Sequence, residues 1–388
     1  MNSRLFTAIA LFVLSGCDDR APATLAPPPA PSLSLAPAMI TDLGTIGEDE
    51  YSTANAINDR GQIVGSSRRE VSGGSPIPRA ALWTVSRAGV TVQDLGVLPD
   101  GDAAVAYDIN RHGQAVGYST TPTDQGQVRH ATLWTVAREG VTMQDLGTLP
   151  EGVTSTAFGI NGHGQIVGMS SYSSDLSTAH ATLWTVGRAG VTVQDLGTLA
   201  GFEHSIAYAI NKHGQIAGWS SNGSGPFGET GHVVLWTLGP AGVTMQDLGL
   251  GTTPEAVLAQ AYGISAGGQA VGIDYGVPGA GEQQATLWTV DRAGVAVQNL
   301  GTLPGGEKSD AWDMNAHGQI VGAGDAPEII YHGVLWTVGR TGVTIQDLGA
   351  LPGGLFSRAN AINDHGQIVG ESQYLGAAHA VLWSVGHD

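Results

Sequence analysis

Only one of the 388 residues is cysteine, only 16 are Lys or Arg, and charged residues of both signs together make up 13%. A lone Cys17 excludes an intrachain disulfide and any cysteine-based zinc site. With 34 acidic residues against those 16 basic ones, the formal net charge of −18 argues against nucleic acid or an anionic lipid surface as partner. The chain carries no Gly-x-Ser-x-Gly elbow, no His-Glu-x-x-His pair and no Gly-Lys-Ser/Thr phosphate loop. No catalytic residue and no cofactor is therefore nominated by motif, and an enzyme is less expected than a binding protein.

What is abundant is glycine, 58 residues of it, and a repeat. Leu-Trp recurs seven times, with its Trp at 83, 134, 184, 236, 288, 336 and 383, at spacings of 47 to 52 residues. The third repeat is representative. Ala157-Phe158-Gly159-Ile160-Asn161 alternates with period two, Gly162-His163-Gly164 supplies a tight turn, and Gln165-Ile166-Val167-Gly168 returns. After a polar loop come Ala181 to Val186, a turn at Arg188-Ala189-Gly190, and Val191 to Leu196. These four strands are named a, b, c and d below.

Four short antiparallel strands in about 50 residues make a β-propeller blade, whereas a β-helix coil is shorter and pairs its strands in parallel. The expected fold is thus an all-β, seven-bladed propeller occupying residues 38–388. Strand a always carries Ala four residues before its end (Ala54, Ala106, Ala157, Ala207, Ala261, Ala311, Ala359), which suits the crowded innermost strand. The large residues that follow, Tyr107, Phe158, Tyr208, Tyr262 and Trp312, are expected to point between blades. The last repeat stops after strand c, while residues 38–44 match a free strand d, so the N-terminal strand is expected to complete the last blade and close the ring.

The repeat is similar to the bacterial extracellular family named for its His-Ala-Phe tripeptide, across residues 39–388. Here the tripeptide reads His130-Ala131-Thr132 or His180-Ala181-Thr182, joined to Ile-Asn-x-x-Gly-Gln and Asp-Leu-Gly-Thr-Leu. The resemblance implies an exported protein and bears on fold and location rather than chemistry. Ahead of the repeats, Met-Asn-Ser-Arg, the apolar run Leu5 to Leu14 and Leu14-Ser15-Gly16-Cys17 resemble a lipoprotein signal with its lipobox. The run is too short to span a bilayer as a helix. Residues 1–16 are read as the signal peptide, and 17–37 as the lipidated Cys with a Pro/Ala-rich tether.

Histidines recur in the a-to-b turn (His112, His163, His213, His317, His365) and at the start of strand c (His130, His180, His232, His332, His379). Equivalent positions in different blades lie on a circle, whereas a metal needs donors about 2 Å from one point, so no metal site is expected. Asp42, Asp94, Asp145, Asp195, Asp247 and Asp347, with Asn299, end strand d before a Gly and suit turn capping. The d-to-a and b-to-c loops share one face and vary most between repeats. Their acids Glu48, Asp49, Asp100, Asp102, Glu151, Glu203 and Glu307 are the candidate ligand contacts.

The function expected from these features is a monomeric, lipid-anchored binding or scaffolding module at the bacterial cell envelope. Its partner would be an envelope protein, a glycan or a small ligand, and it would touch the membrane only through the lipid. The alternatives are a propeller hydrolase or lyase acting on an extracellular polysaccharide, and a purely structural surface repeat. Mass spectrometry of the mature protein should find an acylated Cys17 at its N-terminus, and Cys17→Ser should release it from membranes; an unmodified Cys17 in a membrane-free protein refutes the anchor.

Overall fold

Asn161, at the end of strand a in the third repeat, makes the turn with its side chain. Its Oδ1 accepts the backbone N–H groups of His163 (3.0 Å) and Gln165 (3.1 Å), and Gly164 sits at φ +75°. Such a turn needs a short acceptor and a residue free to adopt positive φ. Strand a (Thr154–Ile160) therefore folds back on strand b (Gln165–Ser171). Strand b pairs with strand c (Ala179–Gly187), and strand c with strand d (Gly190–Asp195), all antiparallel.

The computed structural model describes residues 32–33, 38–70, 76–124, 126–173, 178–222, 230–253, 255–276, 283–327, 329–374 and 376–385. The expected signal peptide and Cys17 lie outside them. Within them the protein is all-β, without a helix, and 28 strands form sheets of four antiparallel strands. One further two-residue strand, Ser32–Leu33, falls in the stretch expected to be a tether and runs parallel to Thr344–Ile345. The sheets of the fourth and fifth repeats are joined by a single parallel bridge, Gly231 to Leu258. In the last repeat, strand c (Ala377–Ser384) pairs with Met39–Asp42, so the N-terminal strand does take the place of the missing strand d.

Strand c is central in its sheet, and its successive side chains leave on opposite faces, so the Leu-Trp pair buries one residue on each face. All seven of these Trp side chains are fully buried. The cores accordingly lie between neighbouring sheets: Val116 and Leu133 of the second repeat pack with Ile160, Ile166 and Trp184 of the third. Indole nitrogens add a directed link. Trp184 Nε1 donates to Gly147 O (3.2 Å) beyond strand d of the preceding repeat, and Trp83 donates to Gly44 O (3.3 Å) beside the N-terminal strand. Replacing so deeply buried a Trp by Ala costs about 3–5 kcal/mol.

The strand-a asparagines tie the inner strands together. Asn58 Nδ2 donates to Asn110 O, Asn110 to Asn161 O, Asn161 to Asn211 O and Asn211 to Ser265 O, at 2.9–3.1 Å. Asn315 donates to Asn363 O (3.1 Å), and Asn363 donates back to Asn58 O (3.2 Å). Ser265 has no amide to pass on. Contacts between the last and first repeats continue outward, with Ala380 N donating to Ser52 Oγ (2.8 Å).

Deleting residues 38–44 should strip the strand from Ala377–Ser384 and leave an unpaired edge. Calorimetry should find a lowered melting temperature and size-exclusion chromatography a tendency to associate; an equally stable monomer would mean that this strand contributes nothing to the array.

Candidate binding cavity

Each strand a contains a β-bulge at one and the same place. In the third repeat Ala157 pairs with Gly168 and Gly159 with Val167, leaving Phe158 without a partner. The same slip isolates Asn55, Tyr107, Tyr208, Tyr262, Trp312 and Asn360 in the other repeats. A bulge sets two residues against one and re-aims the side chain of the extra one. It also drives a backbone carbonyl into strand b. A Cβ placed on Gly168 would lie 2.0 Å from Thr156 O, and Gly65, Gly117, Gly218, Gly272, Gly322 and Gly370 meet the equivalent carbonyl at 1.8–2.0 Å. The glycine of the Gln-Ile-Val-Gly motif is therefore the mark of the bulge.

The re-aimed side chains meet. Ring centroids run 5.2 Å from Tyr107 to Phe158, 5.1 Å on to Tyr208, 4.8 Å to Tyr262 and 4.4 Å to Trp312, all tilted. Asn55 and Asn360 join them in lining a cavity of about 440 Å³, within the roughly 300–1,000 Å³ usual for small-ligand sites. The aromatic residues thus face a common central space, not the gaps between sheets as their alternation suggested: the bulge breaks the period of two on which that expectation rested. Thr53, Arg358 and Glu371 line the same cavity nearer the d-to-a and b-to-c loops.

Directly after the bulge stand Asp108 and Asp313. Burial pushes the Asp108 carboxyl up to about 6, against the N–H bonds it accepts from Ile160 and Ile109. Burial lifts Asp313 to about 7, with the charges of Asp108 and Asp364 adding to it. Its two oxygens accept Met314 N–H (2.8 Å) and Ile362 N–H (2.9 Å), so each Asp bridges to the next repeat.

The recurrent histidines and aspartates prove to be partners of each other. His130 Nδ1 lies 2.8 Å from Asp145, His180 2.7 Å from Asp195, His232 2.9 Å from Asp247, His332 3.0 Å from Asp347 and His379 2.9 Å from Asp42. Where the His is absent the pair is kept by other means, Arg79 with Asp94 (3.4 Å) and Gln284 with Asn299 (3.2 Å). The other carboxylate oxygen caps the turn, as Asp195 Oδ1 does for Gly197 N (2.7 Å). The bond to Asp195 raises the His180 pKa. At Asp195 burial opposes ionisation, but the bonds from His180 and Gly197 outweigh it and hold the carboxyl below its ordinary value. These half-exposed pairs are worth about 0.2–1 kcal/mol each. The histidines of the a-to-b turns are placed by their backbone, for instance His213 N to Asn211 Oδ1 (2.9 Å).

The loop acids do not converge. Asp49 is buried and takes Ser67 Oγ (2.8 Å) and Arg79 (2.7 Å), while Glu48 pairs with Arg69 at 3.6 Å. Asp102 accepts Thr120 Oγ1 (2.8 Å), and Asp100 and Glu151 occupy turn positions at φ +60° and +65°. Glu203 and Glu307 are exposed and held through their backbone N–H groups, by Ser221 O and Asp325 Oδ1. None of the seven lines the central cavity. Among the described residues no group of three or more His, Cys, Asp or Glu is placed to hold a metal ion.

No family model and no curated protein matches the sequence. Among solved structures, puromycin hydrolase matches with a TM-score of 0.51 and 13% identity, over 91% of this chain and 55% of its own. An acylaminoacyl peptidase from Pyrococcus horikoshii matches at 0.49 and 10%, covering 88% and 52%. A chain of a mitotic checkpoint complex matches at 0.46 and 13%, covering 95% and 99%. The protein spans about half the length of the hydrolase and peptidase chains. At such identities the likeness concerns the fold alone, which is β-propeller-like.

A carboxyl whose folded pKa lies above its unfolded one supports folding most when protonated, and that support is lost as pH rises through the folded value. Asp313 should therefore weaken the native state between the ordinary carboxylate range near 4 and about 7. In urea unfolding across that window, the stability of Asp313→Asn relative to wild type should rise with pH. A difference that stays constant would mean that Asp313 titrates as an ordinary carboxylate.

Proposed function

We propose that the repeats form a closed seven-bladed β-propeller of the His-Ala-Phe type, exported and lipid-anchored through Cys17, which acts as a binding module at the bacterial envelope. The observation that carries this is the convergence of seven bulged side chains on one cavity near the variable loops. Ring closure draws support from the bonds that return from Asn363 to Asn58 and from Asn360 to Ala54, and from the fold likeness to puromycin hydrolase. Aromatic faces bordered by a few polar groups are the usual make-up of a small-ligand site. A purely structural repeat would give no reason for lining an open cavity with them.

A hydrolase or lyase acting on an extracellular polysaccharide is the rival, favoured by two carboxyls raised toward neutrality, each one residue after the cavity-lining Tyr107 and Trp312, as a general acid requires. Both oxygens of each, however, accept backbone N–H groups, which suits an anchoring role. The Cys17→Ser chain should be screened against envelope glycans and proteins. Exchange of the loops at 66–79, 119–130 and 220–232 should then alter affinity and leave the melting temperature unchanged. Binding lost only on replacing Arg138, Arg188, Arg292 and Arg340 would put the site on the opposite face and overturn the proposal.

A further inference from the structure

Arg358 is a guanidinium in the central cavity that forms no ion pair among the described residues, although burial raises the pKa of the Asp310 carboxyl and the charge of Arg358 acts against that rise. It sits over Trp312, 5.5 Å from the ring centroid, and 5.9 Å from that of Phe356. Its Nε is buried without a hydrogen-bond partner. Glu371 stands opposite it across strands a and b, yet Glu371 accepts Thr53 Oγ1 (2.8 Å), and no carboxylate among the described residues lies within ion-pair distance of Arg358. A guanidinium offers five N–H donors in a planar fork, and stacking on an aromatic face leaves that fork free. Its natural complement is a carboxylate held by two parallel hydrogen bonds.

The polar groups around it are acceptors. Asn55 and Asn360 spend an amide N–H on Ala106 O (2.8 Å) and Ala54 O (2.9 Å), which leaves their side-chain oxygens without a bond. Glu371 offers a carboxylate. An occupant must therefore bring an anion for Arg358, O–H donors for these oxygens, and an apolar face for the aromatic arc. An unsubstituted aromatic acid such as benzoate has the anion and the face but no hydroxyl groups. A neutral sugar has hydroxyl groups and a C–H face but no anion. Resting on the assignment of this cavity as the binding site, we propose that it takes an acidic saccharide unit, a pyranose ring bearing a carboxylate, with Arg358 as the residue that selects the acid.

Calorimetric titration of the full-length protein in detergent with glucuronate, glucose and benzoate tests this. Glucuronate should bind at least about tenfold more tightly than either control, the scale of one hydrogen-bonded charge pair. Arg358→Gln should remove that preference, and Arg358→Lys, which keeps the charge but not the fork, should restore only part of it. Trp312→Ala should weaken glucuronate and glucose alike, a readout that survives if Arg358→Gln proves unstable. Equal binding of glucuronate and glucose, equal binding of benzoate, or an unchanged preference in Arg358→Gln each overturns the proposal. Absence of binding by all three probes overturns it too, and leaves the wider binding function to be decided by the envelope screen with loop exchanges.

Discussion

A single amide side chain does three things at the end of six of the seven inner strands, and the architecture hangs on it. The Asn Oδ1 holds its own turn by accepting two backbone N–H groups, its Nδ2 meets the Gln four residues on, and the same Nδ2 reaches the backbone carbonyl of the next repeat. These groups are buried, so each lost bond would leave an unsatisfied polar atom and cost about 1–3 kcal/mol. The Ile-Asn-x-x-Gly-Gln motif is therefore a joint between units as much as a turn within one. Hydrophobic burial between sheets supplies the bulk of the stability, but it is non-directional; the asparagines supply the direction in which units follow one another.

The second constraint is the bulge. One residue too many in strand a forces a carbonyl against strand b, and only glycine leaves room for it. The same extra residue turns a side chain into the central space. Scaffold and cavity thus share one cause: the glycine that makes the bulge fit is the condition for the aromatic arc. The repeats differ in what they place there, asparagine in the first and last, aromatic residues in the five between, while the backbone that places it is unchanged.

Much of the fold was legible in the sequence because the period-two strands, the Asn-x-x-Gly turns and the Leu-Trp pair all speak through local geometry. The place of Met39–Asp42 beside Ala377–Ser384 followed from a count of strands. The cavity was not legible, since period-two alternation sends Tyr107 and Phe158 into the gaps between sheets, and only the bulge reverses that. A signal was present nonetheless, in the glycine that recurs in every strand b at a position where β-branched residues pack well. The pairing of His180 with Asp195 was hidden for another reason: the partners lie 15 residues apart on adjacent strands, and an Asp ahead of a Gly is already accounted for as a turn cap. The exchange of both together, to Gln284 and Asn299, is what reveals the pair.

The belt of asparagines has a polarity. Every donor is a side chain of one repeat and every acceptor a backbone carbonyl of the next, so mutation can delete a donor but never an acceptor. The strap is lost only at the one boundary that follows the altered residue, and the altered repeat keeps its own turn where the new side chain still accepts the two N–H groups. Ser265 is such a case already written into the chain: its hydroxyl still accepts Gly267 and Gln269 N–H groups, and the strap toward Asn315 is simply missing. An array built this way can let its units diverge one at a time, because a lesion in one is not inherited by the rest.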